Sequence, residues 1–133
     1  MPGERDLTVL LRDMTPDRRP GRYVFTSADA IPTEARPIAT VVEDEGISMV
    51  LDQADADRLG LAYDTVMAMI TLRIHSALDA VGLTAAVATA LAEVGISCNV
   101  VAGRVHDHLF VPIDDGDRAI EALERLAAAA AGT

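Results

Sequence analysis

Lysine and tryptophan are absent from the 133-residue sequence, and cysteine occurs once, at Cys98. Schiff-base chemistry, pyridoxal phosphate anchoring and the G-x-x-x-x-G-K phosphate loop all need a lysine amine, so the sequence excludes each of them. A single cysteine cannot form an intramolecular disulfide, which is compatible with a reducing compartment. Aromatic residues make up only 3% of the chain, so aliphatic side chains and the 23 alanines must build its core.

Positive charge is scarce as well. The 21 acidic residues outnumber the 11 arginines and set a net charge of -10. A negative surface repels phosphate backbones and anionic lipid, so we predict no nucleic-acid partner and no membrane association. The charged N-terminus lacks a signal-peptide pattern, and no apolar run approaches the roughly 20 residues that span a bilayer. We therefore expect a cytoplasmic protein.

Residues 1–63 are predicted to form the element order α-β-β-β-α. Apolar residues at helical spacing follow Asp6, which suits a helix N-cap, and Gly60 suits the end of a second helix. Two runs of β-branched residues flank the turn residues 44–46, which is the pattern of a β-hairpin. The predicted elements are a helix over Leu7–Met14, a strand over Arg22–Thr26, hairpin strands over Ile38–Glu43 and Ile47–Leu51, and a helix over Gln53–Leu59.

Residues 64–133 are predicted to form the order β-α-β-β-α. Alternating apolar residues indicate strands that are buried on one face, so the side chains on the other face should be exposed. These outward side chains are Met69, Thr71, Arg73, His75, His106, His108 and Phe110. The predicted elements are a strand over Val66–His75, a helix over Leu83–Val94, strands over Ile96–Ala102 and His106–Ile113, and a helix from Asp117.

The second half has the order of a ferredoxin-like βαββαβ plait without its last strand, and the first half that of the same plait without its first strand. We therefore predict an α+β protein of two diverged plaits, residues 1–63 and 64–133, whose antiparallel sheets carry helices on one face. The second sheet has three strands of its own, which leaves an unpaired edge. We expect Arg22–Thr26 or the Ile38–Leu51 hairpin to lie beside it, and two chains to pair into a homodimer.

Four features of the second half occur in a characteristic order. A strand (MAMITLRIH) enters a loop, the loop ends in Gly-Leu, the following helix closes with L-A-x-x-G-I, and a strand then begins with Ile-Ser. Together they resemble the ACT domain, a small amino-acid-binding regulatory module, over about residues 67–126. The combination HSALDAVGLTAAVATALAEVGISCNVVAG followed by HDHLFVPID is similar to short, stand-alone bacterial proteins with two ACT-like units. In that family the glycine usually follows a proline, whereas Val81 precedes Gly82 here.

The resemblance implies a ligand site between the loop after the first strand of the ACT unit and the start of its second strand, commonly across an interface of two domains. The implied ligand-binding residues are Ser76, Ala77, Leu78, Asp79, Val81, Gly82, Leu83, Cys98, Asn99 and Val100. Backbone N–H groups of residues 82–84 would favour a carboxylate, and Asp79 or the Asn99 carbonyl would accept hydrogen bonds from an ammonium group. The implied ligand is an amino acid, and the implied module is not an enzyme and needs no cofactor.

Histidine and cysteine offer other chemistry. His75, His106 and His108 share the outward side of two strands, a spacing that zinc could use, but no fourth ligand accompanies them. Solvated strand histidines are the simpler interpretation, so we predict no metal site. Cys98 alternates with apolar neighbours, which predicts a buried, unreactive thiol and no catalytic residue.

Three arginines could each offer a bidentate fork to a carboxylate. They are Arg22, Arg73 and Arg104. Arg73 is the first candidate because its strand leads into the implied ligand loop.

Three functions remain open. The first is a non-catalytic regulatory module that binds an amino acid or a similar small metabolite. The second is a ligand-free protein-interaction or structural module, which the missing proline at Val81 favours. The third is a small metal-dependent enzyme that uses the face of His75, His106 and His108.

Overall fold

The computed structural model describes residues 2–132. These residues form four α-helices, seven strands and one 3-10 turn. In chain order the elements are α1 (Leu7–Asp13), β1 (Pro16–Arg18), β2 (Tyr23–Ala28), β3 (Ala39–Glu43), β4 (Gly46–Asp52), α2 (Gln53–Arg58), β5 (Val66–Leu72), α3 (Leu83–Glu93), β6 (Asn99–Ala102), β7 (Asp107–Pro112), the 3-10 turn (Ile113–Asp115) and α4 (Gly116–Ala131). The chain divides into two compact units: one is Gly21–Met67, and the other joins the residues up to Pro20 to those from Ala68 onward.

The Gly21–Met67 unit contains β2, β3, β4 and α2 together with the first two residues of β5. Its strands follow the order β3-β4-β2-β5, and the predicted hairpin of β3 and β4 is confirmed. β2 pairs antiparallel with β4 along its whole length. It pairs with β5 only at Tyr23↔Met67 and Val24↔Val66. The buried core of this unit is Val24, Met49, Leu51 and Ala56.

The first plait lacks its first helix rather than its first strand. Residues 29–38 join β2 to β3 without a helix, and α1, which the sequence assigned to this half, packs in the other unit. There Leu10 and Met14 are fully buried in one cluster with Ile70 and Leu123. The sequence did not indicate this packing, because helical periodicity reveals an apolar face but not the sheet that covers it.

The other unit has the strand order β1-β5-β7-β6, with α1, α3 and α4 packed on one face. β1 pairs antiparallel with β5, and β6 pairs antiparallel with β7. The α3 side chains that enter the core are Leu83, Val87 and Leu91. With β5, α3, β6, β7 and α4 in sequence, β1 takes the place of the fourth plait strand, so the second ACT-like sheet is completed by the N-terminal segment.

The origin of this fourth strand differs from the prediction. Arg22–Thr26 was expected beside the sheet, and β2 does pair with β5, but only over residues 66 and 67. The C-terminal end of β5 pairs with β1, from Pro16↔Leu72 to Arg18↔Ile70. No strand was predicted over Pro16–Arg18, but proline is tolerated at the first position of an edge strand.

The outward faces of β5 and β7 are less exposed than predicted. Met69, Thr71 and Phe110 are all buried. β5 is a central strand with β1 and β7 on its two sides, so side chains of both neighbours shield it. The Oγ1 of Thr71, for example, lies 2.9 Å from Nδ1 of His108.

Two strands are shorter than predicted. β5 ends at Leu72 instead of His75, and β6 begins at Asn99 instead of Ile96. Ile96 does not join the strand because its N–H donates to the Leu91 carbonyl at 2.9 Å. This hydrogen bond caps the C-terminus of α3.

Candidate functional site

The loop that follows β5, residues 73–82, has the position predicted for a ligand-binding loop. It ends at Gly82, the residue that precedes the first turn of α3 and has a φ of +107°. A Cβ at this position would lie 2.9 Å from Cδ2 of Leu7, so both the backbone angle and the close contact favour glycine. Inside the loop, the buried Ser76 donates a hydrogen bond from Oγ to Oδ2 of Asp107 at 3.3 Å. The loop is therefore anchored at its middle and at its end.

The N-terminal segment lies directly against this loop. The Glu4 N–H donates to the His75 carbonyl at 2.8 Å, and the Ala77 N–H donates to the Glu4 carbonyl at 2.9 Å. Together these bonds form an isolated parallel bridge between Glu4 and Ser76. A Cβ on Gly3 would lie 2.5 Å from the Ala77 nitrogen, so the two backbones meet where only glycine fits. Sequence reasoning missed this contact.

A pocket of about 330 Å³ opens between the segment and the loop. It is lined by Pro2, Gly3, Arg5, His75, Ser76, Ala77, Leu78, Asp79 and Arg104. A smaller cavity of about 80 Å³ lies against the same loop. Its lining is Ser76, Ala77, Leu78, Ala80, Leu83, Thr84, Ala102 and Asp107.

Some charged side chains around the larger pocket are paired with each other, and one is not. Arg5 and Asp79 form an ion pair of 2.9 Å, and the hydrogen bond from Arg5 lowers the pKa of the Asp79 carboxyl. Both side chains are exposed, so this pair contributes little to stability. Arg104 is exposed, and within residues 2–132 no carboxylate lies at ion-pair distance from it. The pocket therefore offers one unpaired guanidinium.

The other two candidate arginines are engaged. Arg73 donates from Nε and Nη2 to Asp17 Oδ2 at 2.9 and 2.7 Å. Hydrogen bonds from Arg73 and Arg19 lower the pKa of the Asp17 carboxyl. Arg22 donates from Nε to Oε1 of Gln53 at 3.0 Å. Arg104 therefore replaces Arg73 as the first candidate to bind a carboxylate.

The structure brings together only part of the implied ligand set. Ser76, Ala77, Leu78 and Asp79 line the larger pocket, and Leu83 lines the smaller one. The residues that line neither cavity are Val81, Gly82, Cys98, Asn99 and Val100. Their assignment as ligand-binding residues stays a prediction. Sequence reasoning missed Ala80, which lies within the loop. It also missed the lining residues that long-range contacts bring to the loop, which are Pro2, Gly3, Arg5, Ala102 and Asp107.

Cys98 and His108 are partly withdrawn from solvent. Cys98 packs against the core of its unit, and burial raises the pKa of its thiol, which keeps it protonated and unreactive. Burial also lowers the pKa of His108, and the neighbouring His106 lowers it further. Among residues 2–132, no group of three or more histidine, cysteine, aspartate or glutamate side chains is placed to hold a metal ion. The three-histidine hypothesis therefore gains no geometric support.

Comparison with known families decides the classification. One ACT domain family model matches residues 2–68, and another matches residues 65–125. The chain belongs to the ACT domain family. It contains two ACT units in tandem with the α+β ferredoxin-like fold, as the sequence predicted. The division at residues 63 and 64 stays a prediction.

Solved structures extend this result. A Vibrio cholerae protein of unknown function, described as a possible transport protein, is 44% identical with a TM-score of 0.82, over 91% of this chain and 95% of that one. An Agrobacterium tumefaciens protein is 22% identical with a TM-score of 0.70, over 84% and 87% of the two chains. The ligand-free regulatory subunit of aspartate kinase from Thermus thermophilus is 9% identical with a TM-score of 0.59, over 84% and 95%. The last two similarities show the fold alone.

No significant match was found among curated proteins. ACT domains are small-molecule-binding regulatory modules, and this chain consists of two such domains. Within residues 2–132, no helix combines the length and the apolar character that a bilayer crossing requires.

Proposed function

We propose that this tandem ACT protein is a cytoplasmic, non-catalytic regulatory module that binds an amino acid beside the loop of residues 73–82. The observation that carries the proposal is the 330 Å³ pocket with Arg104 at its rim. Its volume suits a small metabolite, since ligand pockets range upward from about 300 Å³.

The polar groups of the pocket match the two ends of an amino acid. The guanidinium of Arg104 has no acidic partner within the described chain, so it is available to form a bidentate pair with the ligand carboxylate. Asp79 faces the same pocket and would accept hydrogen bonds from the ligand ammonium group in addition to its bond with Arg5. The N-terminal segment supplies the opposite wall through Gly3, so it would contact a bound ligand.

Arg104→Gln should weaken amino-acid binding. A thermal-shift screen of the twenty amino acids would identify the ligand, and calorimetry would then measure its affinity. Because one charged hydrogen-bond partner is lost, affinity should fall by about 10- to 100-fold. Arg125→Gln removes an exposed arginine on α4, away from the pocket, and should bind as the wild type does. If no amino acid stabilises the wild type, or if both variants bind equally, the proposal fails and a ligand-free interaction module is favoured.

We also propose that two chains pair through β3. This strand ends the strand order of the Gly21–Met67 unit and pairs there with β4. Val41 and Val42 of β3 are 59% and 83% exposed. An edge strand with exposed apolar side chains accepts another strand, and antiparallel pairing about a two-fold axis would join β3 to its own copy.

Light scattering at micromolar concentration should give the mass of two chains. Val42→Lys places a charge on the edge and should shift the protein towards monomer, whereas Val105→Lys, at an exposed valine of the other unit, should remain dimeric. Because each chain carries a net charge of -10, added salt should strengthen the dimer by screening repulsion. A wild-type monomer at every salt concentration would refute this pairing.

A further inference from the structure

A second pocket lies within the Gly21–Met67 unit and shares no lining residue with the pocket beside the loop of residues 73–82. Its volume is about 300 Å³. It is lined by Phe25, Thr26 and Ser27 of β2, Ser48 of β4, and Ala62, Tyr63 and Asp64 of the segment between α2 and β5. We infer that this pocket is a separate binding site for a small organic ammonium compound.

The pocket has a structural origin in the sheet. β2 pairs with β4 as far as Ala28, but its pairing with β5 stops at Val24. Beyond Val24, residues 62–64 border β2 in place of a paired strand, and a pocket remains between them. Register places Ser27 opposite Ser48, so their side chains share one face of the sheet.

The walls of the pocket are held by hydrogen bonds. The buried Thr26 donates from Oγ1 to the Ala62 carbonyl at 2.7 Å, which ties residues 62–64 to β2. The hydroxyl of Tyr63 donates to Oδ1 of Asp57 at 2.7 Å and accepts from Nε2 of Gln53 at 3.0 Å. The aromatic wall is therefore positioned before any ligand arrives, which reduces the entropic cost of binding.

The chemistry of the lining selects a cation. The sequence contains two phenylalanines and two tyrosines, and one of each lines this pocket. Phe25 is 39% exposed, so part of its ring is accessible to a ligand. An aromatic face and a carboxylate, here Asp64, are the two partners that an ammonium group prefers.

The remaining polar groups support the same choice. Ser48 donates its hydroxyl to the Glu43 carboxylate, so a second negative charge lies next to a lining residue. No arginine or histidine is among the lining residues. A zwitterionic amino acid would find no cation for its carboxylate, so this site differs in ligand class from the pocket beside Arg104.

Three compounds with the same five-carbon chain test this inference: 1,5-diaminopentane, 1,5-pentanediol and glutarate. Calorimetry at constant ionic strength should show binding of the diamine alone. Asp64→Asn and Phe25→Leu should each weaken diamine binding by about fivefold. Asp29→Asn removes an exposed carboxylate of the same unit that does not line the pocket, so it should leave the affinity unchanged.

Amide chemical shifts provide a readout that needs no variant. Diamine should shift the resonances of Ser27, Ser48 and Asp64 in the wild-type protein. Equal weakening by Asp64→Asn and Asp29→Asn, or shifts spread over all acidic surfaces, would identify non-specific ion pairing and overturn the inference. Equal binding of the diol would overturn the requirement for charge.

Discussion

Removal of residues 1–20 should abolish the cooperative unfolding of the unit that joins these residues to those from Ala68 onward, here called the C-terminal ACT unit. The deletion takes away α1 and β1, and with them the fully buried side chains of Leu10 and Met14. Truncating two such side chains costs about 4 to 10 kcal/mol, which is comparable to the whole stability of a typical domain. The deletion also removes the acceptor of the Arg73 N–H at Met14 and the pairing of β1 with β5. Circular dichroism in a urea titration would measure the loss.

Deletion of residues 2–5 alone is the matched control. It removes the segment that borders the loop of residues 73–82 but retains α1 and β1, so the urea transition should remain cooperative. A cooperative transition with an unchanged midpoint in the 1–20 deletion would show that the C-terminal unit is independent of its borrowed strand.

Leu91→Ala should cost about 2 to 5 kcal/mol of unfolding free energy. Leu91 is fully buried on α3 and belongs to the core cluster that includes Ile70, Leu109 and Leu123. Its truncation leaves a cavity between α3 and the sheet that rigid neighbours cannot fill. Chemical denaturation of the purified variant gives the difference directly.

Leu78→Ala makes the same chemical change at an exposed position, since Leu78 is 72% exposed. Its effect on stability should stay below about 0.5 kcal/mol. If Leu91→Ala also lowered the free energy of unfolding by less than about 0.5 kcal/mol, Leu91 would not belong to the core. Leu78 also lines the proposed amino-acid pocket, so this control can alter binding while it leaves stability unchanged.

The N-terminal segment contributes to both structure and the proposed site. α1 and β1 complete the C-terminal ACT unit, and the residues that precede them pair with the loop of residues 73–82 at Glu4 and Ser76. Ligand binding beside that loop would therefore stabilise the segment as well, because a ligand that binds only the folded state favours every contact made in that state. Binding and folding of the C-terminal unit should be thermodynamically linked.

Part of the candidate site could be predicted from the sequence. The resemblance to the ACT domain located the loop, and apolar periodicity with Gly95 at the end located its helix. Gly82 and Gly95 both have positive φ in the structure. The pairing of Arg73 with Asp17 and the availability of Arg104 could not be predicted. Side chains of arginine are long and reach partners that neighbouring sequence does not reveal.

The sequence alone determined the features that depend on near neighbours. Asp6 accepts from the Val9 N–H and begins α1, and Gly46 closes the hairpin of β3 and β4. Tertiary structure decided that β1 completes the second sheet, that α1 belongs to the C-terminal unit, and that Gly3 packs on the loop after β5. Each of these features joins segments far apart in the chain, and burial and backbone pairing between such segments form only once the whole unit packs.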